Sequence, residues 1–260
     1  MSTRLIAFLA AMVCSASVPN QVSADSGHAS TVAVLSLVGD GLSIVSPRST
    51  TGTLRERLDR RFIPIKDSLI DRTVVRVIAE ELRARSDIAP TFLDSHDATL
   101  FGLQSKALEQ EKTSQDLVKS LLERVPELAK FDYIVLVAKY RHMAQMDAPV
   151  GHFGVGSLDG LGFYIDRLSI MENSDTGLVD TGFLATFAYF KVVLDSVQTG
   201  RVIAEQPVAA SSVRAAIDSR SLNPWDSLSS TEKTQSLITL VTRECASATK
   251  VILKSIPRSP

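Results

Sequence analysis

One stretch of the chain, Phe131 to Val213, constrains the fold more than any other because it carries four consecutive strand patterns. Three apolar runs are followed by a more polar one, at residues 131–142, 161–171, 183–194 and 201–213. Side chains in these runs alternate with a period close to two, and they become polar toward the ends of the runs. A short turn signal, Gln198-Thr199-Gly200, favours antiparallel hairpins. The stretch therefore predicts the core sheet of the protein.

Helical patterns flank this predicted sheet on both sides. Apolar residues three or four positions apart predict three helices. Their stripes are Ile70, Val74, Val77, Ile78 and Leu82 in the first helix, Leu117, Leu121, Leu122 and Val125 in the second, and Leu237, Val241, Cys245, Ala248 and Ile252 in the third. Thr113 or Ser114 is a candidate N-cap for the second helix, and residues 229–232 form a capping-box sequence before the third.

Two further strand candidates precede the sheet stretch. Thr31 to Val38 is almost continuously apolar, which is typical of a strand buried on both faces, and Ile88 to Leu93 follows the first helix. The element order is therefore β-α-β-α-β-β-β-β-α. This order predicts an α+β fold, with helices packed on a mixed, largely antiparallel sheet.

The N-terminus has the pattern of a secretory signal peptide. Met1 to Arg4 is positively charged, Leu5 to Val13 is an apolar run, and Val22 to Ala24 fits the small-residue rule for cleavage before Asp25. Residues 1–24 are therefore predicted to be a signal peptide and residues 25–260 a single domain, located in the periplasm or secreted. A lipid anchor at Cys14 is the competing interpretation, but the residues just before that cysteine are not small.

Composition limits the classes of partner. The chain of 260 residues is 45% hydrophobic, which is typical of a folded domain, and its formal net charge is −1. This balance gives no overall attraction to nucleic acid, and the mature chain has no predicted transmembrane segment. Cys245 is the only thiol after residue 24, so no internal disulfide is expected. Because it lies on the apolar stripe of the last helix, we expect it to be buried.

Two irregular segments interrupt these patterns. Residues 46–66 form a basic insertion, which predicts a solvated loop or an exposed short helix. The alternative is a basic flap that covers a phosphate, a glycan or another anionic partner. Residues 151–162 form a Gly-rich link that does not match a nucleotide-binding fingerprint, so it predicts a mobile or tightly turned connection between strands. No cofactor is predicted from either segment.

Candidate catalytic patterns in the sequence are incomplete. Gly39 to Ser43 resembles the nucleophile block of SGNH-type hydrolases, but Gly41 occupies the position of the nucleophile and has no oxygen to attack a carbonyl. His142 and His152, with Asp159 or Asp166, could bind a metal if the fold brought them together. A metal-dependent hydrolase is therefore the alternative function, although this spacing is not a known ligand pattern.

Polar residues at the ends of two predicted neighbouring strands mark a candidate binding surface. Tyr140 to His142 end one strand, and Tyr164 to Arg167 lie in the next, so they could converge at one edge of the sheet. Cross-strand pairing between Arg and Asp side chains is the structural alternative. Together with the basic insertion, the candidate binding residues are Arg141, His142, Tyr164, Asp166, Arg167, Arg57, Arg60 and Arg61.

The arrangement resembles a group of bacterial envelope domains. The features that carry the resemblance are the strand "VAVL" after a signal peptide, the strand "DYIVLV" and the hairpin "VVLDSVQTGRVI", whose D-x-x-x-TG motif lies within Asp195 to Ile203. The group includes the N-terminal domain of TolB, the outer-membrane activators of penicillin-binding proteins, and the periplasmic domain of the curli secretion channel. The resemblance implies a non-enzymatic module that binds another envelope protein. The chain departs from the group in its basic insertion and its Gly-rich link.

Overall fold

A computed structural model of the chain describes residues 29–48, 58–94, 96–148, 151–172, 177, 179–215 and 223–257. The predicted signal peptide, Cys14 and Arg57 lie outside these residues. The strands are β1 (Ser30–Ser36), β2 (Gly41–Pro47), β3 (Leu58–Pro64), β4 (Ile88–Phe92), β5 (Tyr133–Lys139), β6 (Arg141–Met143), β7 (Met146–Ala148), β8 (Gly151–Phe153), β9 (Ser157–Glu172), β10 (Val179–Ser196) and β11 (Arg201–Ala215). The helices are α1 (Leu69–Arg83), α2 (Ala98–Glu109), α3 (Ser114–Arg124) and α4 (Ser230–Ile252).

The long strand β10 organises the sheet. One edge of β10 pairs antiparallel with β11 from Phe183 to Ser196. The other edge pairs first with β9, up to Tyr189, and then with β5, from Phe190 onward. Two half-sheets therefore share this strand: β4-β1-β5, whose strands are mutually parallel, and β3-β2-β9. The predicted α+β class with a mixed sheet is confirmed.

Helices cover the parallel half-sheet on both faces. Val32 and Val34 of β1 pack into a core cluster with residues of α1 and α4. Ala33 and Leu35 point the other way, into a cluster with residues of α2 and α3. This double burial explains why the first strand is almost continuously apolar. Cys245 of α4 lies in the first cluster and is buried, as its helical position predicted.

The basic insertion differs from its predicted form. Its described parts form strands, because β2 and β3 pair as an antiparallel hairpin and β2 also pairs in parallel with β9. The expectation of a loop or short helix is therefore wrong for residues 58–64. The strand signal there is weak because Leu58 alone in β3 is buried, while Asp59 to Phe62 are exposed. Charged residues on such an edge strand protect it against pairing with other chains.

The Gly-rich link is also more regular than expected. Its start forms β8, which pairs with β7, and its end forms the beginning of β9. Met146 and Phe153 from this small hairpin contact a core cluster that includes Phe183 and Phe187 of β10. The hairpin therefore covers the face of β10 opposite α4. Within the described ranges, no helix combines the length and apolar character that a membrane crossing requires.

The D-x-x-x-TG hairpin places a buried carboxylate at a bulge in β10. The register with β11 shifts between Leu194 and Asp195, and Asp195 is only 1% exposed. Burial raises the pKa of the Asp195 carboxyl, and the Gln115 amide opposes that rise in part. No hydrogen bond of normal geometry reaches either carboxylate oxygen from the described residues. The ionised form of Asp195 is therefore destabilising in the folded state.

Asp195→Asn is expected to increase stability at neutral pH by about 1 kcal/mol, because it removes a poorly compensated buried charge. The pKa of Asp195 is higher in the folded than in the unfolded state, so the folded state binds more protons between these two pKa values. This carboxyl therefore lowers the free energy of unfolding as pH rises through that range. Urea denaturation at pH 7 and near pH 4 should show that the advantage of Asp195→Asn shrinks at the lower pH. An equal loss of stability at both pH values would contradict this account.

Candidate functional site

The topology points to the carboxyl ends of the parallel strands. After β1 the chain passes through the hairpin of β2 and β3 before it reaches α1 on one face of the sheet. After β4 it continues into α2 on the other face. Because β1 and β4 are neighbours, their connections diverge and leave a crevice beyond their carboxyl ends. Open parallel sheets commonly bind ligands at such a switch point.

Asp71, near the start of α1, lies in this crevice. It is 3% exposed, and its Oδ1 accepts hydrogen bonds from Ser36 Oγ at 2.6 Å and from the backbone N–H groups of Gly39 and Val38 at 3.0 and 3.2 Å. A Cβ atom at Gly39 would lie 2.3 Å from Asp71 Oδ2, so only glycine fits beside this carboxylate. Burial raises the pKa of Asp71, and these hydrogen bonds oppose the rise.

The second oxygen of Asp71 lacks a hydrogen bond. Oδ2 is buried and has no hydrogen-bond partner among the described residues. Nδ1 of His96 lies 3.8 Å from Oδ2, within ion-pair distance, and this nitrogen also has no hydrogen-bond partner among the described residues. The His96 ring packs edge-on against Phe101 with centroids 5.4 Å apart. Buried polar atoms without partners are uncommon in folded proteins, and each one requires an explanation.

A cleft of about 480 Å³ opens beside Asp71, between α1 and the end of β4. We call it the switch-point cleft. Its polar lining is Asp71, Arg72, Arg76, Arg83 and Asp94, and its apolar lining is Val75, Ala79, Phe92 and Leu93. The guanidinium of Arg83 lies over the Phe92 ring, 5.0 Å from its centroid. The cleft therefore combines an excess of cations with an apolar wall.

A polar network joins the carboxyl ends of β1 and β5. Lys139 Nζ forms an ion pair with Asp40 at 2.6 Å and lies 5.4 Å from the centroid of the Phe62 ring. The Gln104 side chain accepts a hydrogen bond from the Lys139 N–H at 2.8 Å and donates one to the Leu37 carbonyl at 2.5 Å. These contacts position Lys139 at the carboxyl end of β5.

Lys139 also lines a second cleft, of about 400 Å³, between the α2–α3 connection and the strands β5 and β6. We call it the basic cleft. Its ionisable lining is Lys112, Lys139, Arg141, His142, Lys191 and Glu111. Lys191 pairs with Glu205 at 3.4 Å, whereas Lys112 forms no ion pair with any described residue. The His142 ring stacks on Tyr140, with centroids 5.8 Å apart.

The basic insertion and the predicted strand edge meet beside the basic cleft. Arg141 Nη2 lies 3.0 Å from Asp159 Oδ2, and Arg60 Nη1 lies 3.9 Å from the same oxygen. Arg60 also donates a hydrogen bond to the Ser157 carbonyl. Two of the predicted binding residues are therefore neighbours, although the contact that joins them is the cross-strand Arg–Asp pairing that was the structural alternative.

Three other predicted site residues do not join this surface. Tyr164 is fully buried and its hydroxyl accepts a hydrogen bond from the Val155 N–H at 3.1 Å, so it belongs to the core. Asp166 accepts hydrogen bonds from the N–H groups of Leu168 and Ser169, both at 2.7 Å. The expected convergence of Tyr164, Asp166 and Arg167 with Arg141 and His142 is wrong.

The register of β6 explains this difference. Arg141 and His142 pair with Asp159 and Leu158 at the start of β9. Asp166 lies seven residues farther along the same strand, which is roughly 23 Å at the rise of an extended chain. Arg167 is exposed there and lies 3.4 Å from the Asn223 side-chain oxygen.

The remaining predicted residues have separate positions. Arg61 lies on the exposed edge strand β3, opposite Ile44. For the alternative metal site, Asp159 is engaged by Arg141, and His152 lies 3.3 Å from the Gln145 side chain. Within the described part of the chain, no group of three or more His, Cys, Asp or Glu side chains could hold a metal ion. The set of His142, His152 and Asp159 is therefore not assembled.

Sequence reasoning missed the switch-point cleft, although one signal was present. Asp71 sits within the apolar face of α1, next to Ile70 and three residues before Val74. A carboxylate inside an apolar helical stripe is either paired or functional, since burial of a charge is unfavourable. By contrast, no local pattern showed that Lys112 and Lys191, which are far apart in sequence, line the same cleft as Arg141.

Comparisons with known proteins add little to this geometry. No family model matches the chain, and no curated protein matches it. Among solved structures, a hypothetical protein from Chlamydia trachomatis is similar over 85% of this chain and 98% of its own, at 11% sequence identity and a TM-score of 0.28. The likeness to the envelope domains named above stays a prediction.

Proposed function

We propose that this protein is a non-enzymatic binding module of the bacterial envelope, periplasmic or secreted, which binds an acidic segment of another envelope protein in the basic cleft. The observation that carries the proposal is the charge of that cleft. Three lysines and Arg141 line it together with His142, whereas Glu111 is its single carboxylate.

The cations are suited to recognition of carboxylates. Lys112 has no ion pair within the described ranges, so an incoming acidic side chain need not displace a partner there. Lys139 and Lys191 form partly buried pairs with Asp40 and Glu205. Arg141 is more exposed in its pair with Asp159, and exposed ion pairs contribute little to stability. Such pairs can be exchanged for pairs with a ligand. Clustered charge of one sign also accelerates the encounter with an oppositely charged partner.

The remaining features favour a peptide segment over nucleic acid. The whole chain has a formal net charge of −1, and the cations are concentrated in one cleft. A cleft of about 400 Å³ suits a few side chains of a peptide. The stacked rings of Tyr140 and His142 supply a flat edge beside the charges. The signal-peptide pattern and the resemblance to envelope domains support the location and the type of partner.

Lys112→Glu and Arg141→Glu each reverse one charge in the basic cleft. Each variant is expected to bind a fluorescent oligoglutamate peptide about tenfold more weakly or worse than the wild type, because attraction is replaced by repulsion. Fluorescence anisotropy at low and moderate salt measures the affinity. Lys119→Glu, an equal charge change on the exposed surface of α3, is the matched control and should bind like the wild type.

The same experiment can overturn the proposal. If the wild type does not bind the peptide at low salt, or if Lys112→Glu and Lys119→Glu weaken binding equally, the basic cleft is not the recognition surface. Crosslinking in envelope extract then tests the physiological partner: a partner that the wild type captures and Lys112→Glu does not would fit the proposal. Capture of no protein by the wild type would contradict it.

A further inference from the structure

We propose that the switch-point cleft is a second, separate binding site, for a small organic anion that carries a hydroxyl group. In this assignment Arg72 and Arg76 bind the anionic group, and Asp71 accepts a hydrogen bond from the hydroxyl. The switch-point cleft shares no lining residue with the basic cleft, so experiments on one site do not decide the proposal for the other.

The arginines argue for the anion. Arg72 and Arg76 are one helical turn apart on α1, both are exposed, and both line the cleft. Neither they nor Arg83 form an ion pair with any carboxylate in the described part of the chain. Arg72 and Arg76 carry like charges at i and i+4, which repel each other on a helix. Asp94 and the buried Asp71 are the carboxylates of the lining, so the three guanidinium groups exceed them by one. Arginine is the side chain best suited to bind carboxylate or phosphate oxygens, through its fork of N–H groups.

The buried carboxylate argues for the hydroxyl. Asp71 lines the cleft, and its Oδ2 is a buried acceptor without a hydrogen-bond partner among the described residues. Oδ1 is already held by three donors, so the orientation of Oδ2 is set before any ligand arrives. A neutral hydroxyl fits this acceptor better than an ammonium group does, because the arginines disfavour a cation. His96 Nδ1 lies 3.8 Å from this oxygen, too far for a hydrogen bond, and a hydroxyl placed between the two atoms could contact both.

The apolar lining and the size argue for a small molecule. Phe92 is 40% exposed, and with Val75 and Ala79 it offers a surface for a carbon skeleton. The cleft volume of about 480 Å³ lies in the usual range for small-molecule sites. A peptide added to the edge of β4 is less suitable, since Pro90 in the middle of that strand has no N–H to donate.

Isothermal titration with matched pairs of probes tests this assignment. Malate carries one hydroxyl group that succinate lacks. Glycerol 3-phosphate carries two hydroxyl groups that propyl phosphate lacks. We expect saturable binding of malate or glycerol 3-phosphate, and binding about tenfold weaker for the partner that lacks hydroxyls. The pair that binds shows whether the natural anion is a carboxylate or a phosphate ester. If no probe binds at millimolar concentration, or if both members of each pair bind equally, the proposal is overturned.

Variants locate the binding. Arg76→Gln should weaken binding of the preferred probe by about tenfold. Arg124→Gln changes an exposed residue of α3 outside the cleft and should leave binding unchanged. Asp71→Asn keeps an acceptor for the backbone donors but removes the charge, so it should reduce the preference for malate over succinate. If Asp71→Asn does not fold, the comparison of matched probes on the wild type still decides whether the ligand hydroxyl contributes to binding. Unchanged binding by Arg76→Gln would place the ligand elsewhere and contradict the proposal.

Discussion

Gly162→Val is expected to destabilise the fold by about 3 kcal/mol or more, since it forces side-chain atoms into a packed junction between three strands. A Cβ atom at Gly162 would lie 1.9 Å from the Ser43 carbonyl oxygen and 2.9 Å from Cζ of Phe187. The first contact is with backbone, so no side-chain rotation can relieve it. Because Ser43 pairs with Gly162 in the register of β2 and β9, the hairpin of β2 and β3 must shift away from the sheet.

Thermal denaturation should show this loss as a fall in Tm of about 10 °C for a chain of this size. Gly102→Val is the matched control, because nothing lies within 4 Å of a Cβ at Gly102 and that residue is exposed on α2. The control should be as stable as the wild type or slightly more stable, since valine favours a helix more than glycine does. A wild-type Tm for Gly162→Val would show that β2 does not approach β9 as closely as described.

Phe187→Ala is expected to reduce the free energy of unfolding by about 3–5 kcal/mol through loss of buried contacts and creation of a cavity. Phe187 is fully buried in β10, directly opposite Gly162 of β9. Its ring packs edge-on against Tyr189, with centroids 5.7 Å apart, and it shares a core cluster with Val45 and Leu58 of the β2–β3 hairpin. The side chain therefore links the hairpin to the central strand.

Urea denaturation followed by circular dichroism measures this effect. Phe62→Ala removes the same side chain from an edge strand where it is 52% exposed, and it should cost less than about 1 kcal/mol. Similar losses for the two variants would mean that the cluster around Phe187 is not a packed core. A separate, early transition in Phe187→Ala would show that the β3-β2-β9 half can unfold while the parallel half stays folded.

The elements that the sequence predicted best are those with long, regular patterns. The periodic stripe of α1 and the capping box of α4 are both present in the structure. The strands β9, β10 and β11 also lie where their apolar alternation placed them. The hairpin of β2 and β3 was missed because an edge strand with a single buried residue, Leu58, has no periodic signal.

The candidate sites show a different limit of sequence reasoning. Arg60 and Arg141 were assigned to one surface and do meet at Asp159, because both segments contact the start of β9. Tyr164 and Asp166 were assigned to the same surface and lie elsewhere, because the register between β6 and β9 depends on side-chain packing that no single strand reveals. The cleft beside Asp71 depends on how three separate connections leave the sheet, which only the assembled topology defines.

The sharing of β10 has a consequence for how the protein can be divided. β5 and β9, one from each half-sheet, pair antiparallel with different portions of β10. The helix α4 packs against one face of β10. A fragment that ends before Val179 would leave β5 and β9 each with an uncovered edge. Neither half can then be a self-sufficient module that evolution could exchange alone. The two clefts are inherited as one unit. A change that alters the position of β10 acts directly on the basic cleft, which Lys191 of β10 lines, whereas no described residue of β10 lines the switch-point cleft.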